Sequence, residues 1–189
     1  MSETETTGLS RRLELLWAPP ELTGRRSRPG LSRERVVQAA IEVADAEGLG
    51  QLSMSRVAQR LGFTTMSLYR HVRSKDELLM LMGEAAVQPV PTVTEPDGGW
   101  RAGLRRWAGE LSAVYRRHPW LLEIPVDGPP ATPAGLDWFE QGLRSLAGTG
   151  LRADEKIAVV QLISGDAHSQ AQLARDLRAG ARAAAAGGA

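Results

Sequence analysis

The stretch LGFTTMSLYRHVRSKDELL, residues 61–79, decides the fold. Gly62 follows an apolar leucine and can take the left-handed conformation that ends a helix. Two residues on, the Thr64 hydroxyl is placed to cap the free N–H groups of a new helix. Phe63, just before that cap, can staple onto Leu68 inside it. Leu68 and Val72 lie one helical turn apart and supply its inward face. The pattern thus predicts a third helix over residues 65–72, three residues after the second. Ser74 and Glu77 form a capping box that opens a fourth helix through Leu78, Leu79, Leu81 and Met82.

Upstream, Ser53 caps a short second helix whose Val57, Ala58 and Leu61 face inward. Before it, Ser32 caps a longer first helix, in which Val36, Ala39, Ala40, Val43 and Ala46 recur at three- and four-residue spacing until Gly48. Two short helices joined by a glycine turn and packed on a longer one make a helix-turn-helix. In that arrangement the second of the pair lies in the DNA major groove.

The outward residues of the third helix have the chemistry for that place. Thr65 and Ser67 offer hydroxyls to base edges or phosphates, Met66 an apolar surface for a thymine methyl, and Arg70 a guanidinium for guanine or phosphate. Tyr69, His71 and Lys75 are expected on the backbone, Lys75 beside the N–H groups that open the fourth helix. Arg56 can approach the backbone from the second helix, and Thr64 sits at the cap. Between residues 53 and 75 there are five cations (Arg56, Arg60, Arg70, Arg73 and Lys75) and no acid. A solvated bundle face, the competing reading, ordinarily mixes both signs. Residues 84–189 hold eleven basic and twelve acidic side chains, so the cationic surface belongs to the N-terminal half.

ERVVQAAIEVADAEGLGQLSMSRVAQRLGFTTMSLYRHVRSKDELLMLM resembles the N-terminal domain of the tetracycline-repressor (TetR) family of transcriptional regulators, without a gap from residue 31 to residue 82. The segments LSMSRVAQRLGF, LYRHV and SKDELL are its most specific parts. LYRHV and the upstream LLW and GRRSRPG look like the branch closest to the tetracycline repressors themselves. The resemblance implies a homodimer on a palindromic double-stranded operator, usually a repressor, that releases DNA when a small molecule enters the C-terminal domain. Carried over by position, Thr65, Met66, Ser67 and Arg70 match base-facing sites, and Tyr69, His71 and Lys75 match backbone contacts.

The fold class expected is all-α. Residues 1–30 read as a flexible basic arm whose GRRSRPG could enter a minor groove or remain a soluble tail. Residues 31–87 are the helix-turn-helix domain, and residues 88–189 a helical effector-binding and dimerisation bundle. That bundle opens after the proline- and glycine-rich QPVPTVTEPDGG. A stripe of Trp100, Leu104, Trp107, Leu111 and Val114 follows, ending before His118-Pro119. Beyond the loop IPVDGPPATP comes a helix over residues 135–146, then one from Asp154 through Ile157, Val160, Ala167, Ala171 and Ala174. Trp107, Trp138, Gln161 and His168 are ligand-binding candidates, although tryptophans at helical spacing are more often core.

Relative to the resemblance the bundle reads as shortened, with one dimer helix missing. Small Gly165, Ala167, Ala171 and Ala174 would still let a partner helix approach. The alternative reading is a helical small-molecule or protein-binding module that has lost regulatory DNA binding. No catalytic triad, paired-carboxylate setting, phosphate loop or metal spacing is present, so neither an enzyme nor a cofactor is expected. The absence of cysteine excludes disulfides and thiolate metal sites. The opening MSETETTGLSRR does not read as a secretory leader, and no stretch reaches the ~20 apolar residues of a membrane span. A cytoplasmic protein is expected.

Overall fold

The computed structural model describes residues 16–17, 30–92, 98–125 and 130–187. Among these residues the secondary structure is helical, with no strand. The helices are α1 (Arg33–Glu47), α2 (Met54–Leu61), α3 (Thr65–Tyr69), α4 (Lys75–Ala86), α5 (Gly99–Arg117), α6 (Pro133–Ser145) and α7 (Ala153–Gly187), with 3-10 turns at Leu49–Gln51 and Pro119–Glu123. The chain divides into two compact units, residues 1–88 with 128–136, and residues 89–127 with 137–189.

In the first unit each start is capped by the hydroxyl expected there. Ser32, Ser53, Thr64 and Ser74 accept from the backbone N–H groups of Arg35, Arg56, Ser67 and Glu77. Helix α1 packs against α2 and α4, and α3 packs on α2. Val36, Ala40, Val57, Leu68, Val72, Leu78 and Met82 are sealed in the core. A second strand of chain joins this unit. The Glu84 carboxylate accepts from Ala134 N–H at 2.8 Å, Thr132 Oγ1 accepts from Gly135 N–H, and the Trp17 indole donates to the Ala131 carbonyl at 3.0 Å. Nothing in the sequence pattern signals this excursion, because the bonds from Glu84 and Trp17 that hold it join residues 50 and 114 positions apart.

Three local expectations are corrected. Helix α3 ends at Tyr69 rather than at residue 72: the N–H groups of His71 and Val72 both return to the Leu68 carbonyl, which tightens the last turn. Val72 stays buried all the same. Phe63 is not an inward staple but is 39% exposed, since its N–H is committed to the Ala58 carbonyl in the turn and its ring is left outside. Leu61 is only half-buried and Ala46 is exposed. The stretch residues 24–29 of the basic arm, residues 93–97 of the first loop and residues 126–129 of the second lie outside the described residues.

The second unit is built on α5 and α7. Pro119 follows the end of α5 and starts the 3-10 turn, where its missing N–H costs nothing. Trp107, Trp120 and Trp138 are buried, and the Trp107 indole N–H donates to the Trp138 carbonyl at 2.9 Å. Gly142 makes this packing possible. A Cβ there would sit 2.9 Å from Val160 Cγ1 and 3.0 Å from Trp107 Cζ2. On α7, Ala167, Ala171 and Ala174 line a cleft against the chain's own helix α5, and of the four small residues only Gly165 is exposed.

Gly142→Ala should destabilise the second unit by about 1–3 kcal/mol through overpacking. A urea midpoint equal to that of the wild type would contradict this packing.

Candidate nucleic-acid interface

The interface is built on the turn between α2 and α3. Gly62 has φ 73°, and its N–H and that of Phe63 return to the carbonyls of Gln59 and Ala58. This left-handed stop reverses the chain without a Cβ penalty. Thr64 begins α3 immediately, and its Oγ1 also lies 2.9 Å from Ser67 Oγ. Leu68 and Val72 anchor the inner face.

The outer face holds the residues picked from the sequence. Met66 is 75% exposed and Tyr69 46%, Arg70 and Lys75 are exposed, and Thr65, Ser67 and His71 are half-buried. Among the described residues no carboxylate pairs with Arg70, Arg73 or Lys75. The backbone beside them is fixed from two sides. Arg33 Nε donates to the His71 carbonyl at 3.2 Å, and the Glu77 carboxylate accepts from Arg73 N–H at 3.0 Å. Of the four residues expected to face bases, Ser67 is the least free, because its hydroxyl is shared with the Thr64 cap.

Arg56 has a different setting. Its guanidinium forks onto Glu47, with Nε 3.0 Å from Oε2 and Nη2 2.9 Å from Oε1. Hydrogen bonding and charge from Glu47 push this guanidinium above its already high value, so it stays protonated. Arg60 pairs with Glu42 through one oxygen, Oε2, which lies 2.9 Å from Nε and 2.8 Å from Nη2. The acid-free run of sequence is therefore not an acid-free surface, since α1 supplies two carboxylates to α2. Glu42, Glu47 and Arg33 escaped sequence reasoning because tertiary packing makes these contacts. The Glu34 carboxyl, at the start of α1, is held below its usual value, first by a backbone hydrogen bond and the Ser32 hydroxyl, with Arg33 and His71 adding charge.

The four ligand-binding candidates do not form one constellation. Trp107 and Trp138 are core partners, Gln161 is exposed on α7, and His168 sits edge-on against the Tyr115 ring at 5.6 Å.

Comparison with known proteins agrees with this geometry. Residues 36–81 match the family described as bacterial regulatory proteins, tetR family, and residues 91–178 match the tetracyclin repressor-like C-terminal domain. The chain is 45% identical over 166 residues to the HTH-type transcriptional repressor DrrR1 of Streptomyces coeruleorubidus, covering 86% of this chain and 62% of that one. It is 29% identical over 136 residues to the tetracycline repressor protein class E from Escherichia coli, covering 71% and 64%. Its fold is similar to the crystal structure of the Streptomyces coelicolor TetR family protein ActR in complex with (S)-DNPA. There the TM-score is 0.68 and the identity 31%, over 77% of this chain and 72% of that one. The chain spans about three-fifths of the length of the first curated relatives it matches, at 62%, 59% and 56%.

Thr64→Ala should remove the cap of a five-residue helix, cost about 1 kcal/mol of stability and weaken duplex binding, while Thr64→Ser should keep both. Denaturation midpoints and fluorescence anisotropy with a labelled duplex would measure the pair. Equal loss in both variants would show that the cap is not what holds α3.

Proposed function

The chain belongs to the tetracycline-repressor family of transcriptional regulators, and from that premise we propose that it is a ligand-responsive repressor that binds a palindromic operator as a homodimer. The observation that carries this reading is the outer surface of α3 and the turn into α4, where Thr65, Met66, Ser67 and Arg70, and with them Tyr69, His71 and Lys75, are all at least partly exposed. The first group has the chemistry to read base edges. The second fits phosphate contacts, which set register without reading sequence. Arg56 is a weaker backbone contact than its position suggests, because Glu47 already occupies its fork.

One recognition helix reads only a few base pairs, so selectivity requires a second copy about one DNA turn away, ~34 Å along the duplex. We place the contact between copies on α7. Leu162, Leu173 and Leu177 are 73%, 54% and 65% exposed, and together with Gly165 and Ser169 they occupy the side of that helix opposite Val160 and Ala167. Large leucines left in water along one stripe favour a helix–helix interface. A small-molecule effector of the second unit would act by shifting this dimer between states of different operator affinity. The protein on this reading works by binding rather than turnover, in the cytoplasm, where the operator is. Among the described residues no helix is long and apolar enough to cross a membrane.

Operator selection from random duplexes by the purified chain tests the reading directly. Lys75→Ala should weaken binding to all sequences alike and lower the salt slope by about 1. Arg70→Ala should instead relax the preference at one base position, at a cost of about 1–3 kcal/mol. Selection of the same site by wild type and Arg70→Ala would remove Arg70 from the reading face. In sedimentation, Leu173→Glu should shift the protein from dimer to monomer, and an unchanged dimer would move the interface elsewhere.

A further inference from the structure

The second unit contains a cleft of roughly 290 Å³ between the C-terminal half of α5, the 3-10 turn and the middle of α7. It exists because of small side chains. Ala167, Ala171 and Ala174 recur one turn apart on α7, facing Tyr115 on α5 and Leu122 in the turn. Two turns earlier on the same face, Val160 is completely buried and the packing closes. The alanine run therefore opens a gap where a larger residue would complete a core.

The rim of this gap is cationic. Arg116 from α5 and Arg175 and Arg178 from α7 all line it. Arg175 has Glu123 at 3.5 Å and Asp176 at 3.4 Å, whereas Arg116 and Arg178 make no ion pair among the described residues. Three guanidiniums thus face two carboxylates. Arg175 Nη1 is sealed from water, and the loose Glu123 contact leaves it without a hydrogen-bond partner. That nitrogen is closed to a ligand as it is to water, so the guanidiniums an incoming anion can reach are the exposed Arg116 and Arg178. Burial pushes the Tyr115 phenol above its usual value, so it remains an O–H group at neutral pH.

We propose that this cleft binds a small organic anion with a flat apolar body, an aromatic carboxylate. The volume lies at the small end of ligand sites, which limits the body to one or two rings. The alanine face, Leu122 and the Tyr115 ring supply apolar walls. The planar fork of a guanidinium matches a carboxylate in geometry as well as charge. None of Trp107, Trp138, Gln161 and His168 lines this cleft. That the bound anion acts as effector rests on the repressor reading above; the binding itself does not.

Isothermal titration of the full chain with 2-naphthoate and with its uncharged analogue 2-naphthamide tests the site. The expected result is one site for naphthoate and at least about tenfold weaker binding of the amide, from loss of a charge-assisted hydrogen bond. Ala171→Leu should fill the cleft and abolish both. Arg178→Gln, an exposed position that does not endanger folding, should weaken naphthoate about tenfold and leave the amide unchanged. No heat with naphthoate at millimolar concentration would overturn the proposal. So would equal affinity for acid and amide, or naphthoate binding that neither variant alters. Retention of the selected operator in the same titration separates the two readings. Naphthoate bound with operator retained leaves the anion site standing and removes its effector role, whereas failure to bind any operator removes the repressor reading alone.

Discussion

The positive φ at Gly62 is the constraint on which the helix-turn-helix unit turns. Without a Cβ the backbone can enter the left-handed region, return two N–H groups to the end of α2, and restart as α3 three residues later. That brevity fixes the angle at which α3 leaves α2, and Leu68 and Val72 then lock it against the core. Because only one face of a five-residue helix is needed for anchoring, the rest is free to face a groove. Its stability comes from its cap and its neighbours, since so short a helix would not form alone.

The caps and the glycine stop were legible because they are local: a hydroxyl three residues from the N–H it accepts leaves its trace in the sequence. Charge was less legible. The run from residue 53 to residue 75 reads as purely cationic, yet Glu47 and Glu42 on α1 pair with Arg56 and Arg60, leaving Arg70, Arg73 and Lys75 without a carboxylate partner among the described residues. Sequence charge is a sum over neighbours in the chain, whereas a polyanion meets a sum over neighbours in space. The effect is to concentrate free positive charge around the end of α3 and the start of α4.

The second unit shows a different limit. Its tryptophans stand out in the sequence, and three of the four, Trp107, Trp120 and Trp138, turn out to be buried, with the Trp107 indole donating to the Trp138 carbonyl inside the core. The cleft nearby is made by what is missing at Ala167, Ala171 and Ala174. An absence of side-chain volume carries no sequence signal until the facing helix is known. The same alanines first suggested a contact between subunits, and within the chain they line this cleft against α5.

The placement of the indoles has an optical consequence. Trp100, Trp107, Trp120 and Trp138 all belong to the second unit, and the first unit contains only Trp17. Trp107, Trp120 and Trp138 are shielded from water, so the intrinsic emission of the native chain is weighted toward a blue-shifted signal from that unit. Fluorescence and far-ultraviolet ellipticity therefore watch different parts of the chain. The first reports chiefly the tryptophan core, and the second sums over every helix, including the five residues of α3. If the two units melt at different temperatures, the two signals will not coincide, and the gap between them measures how independently the units fold.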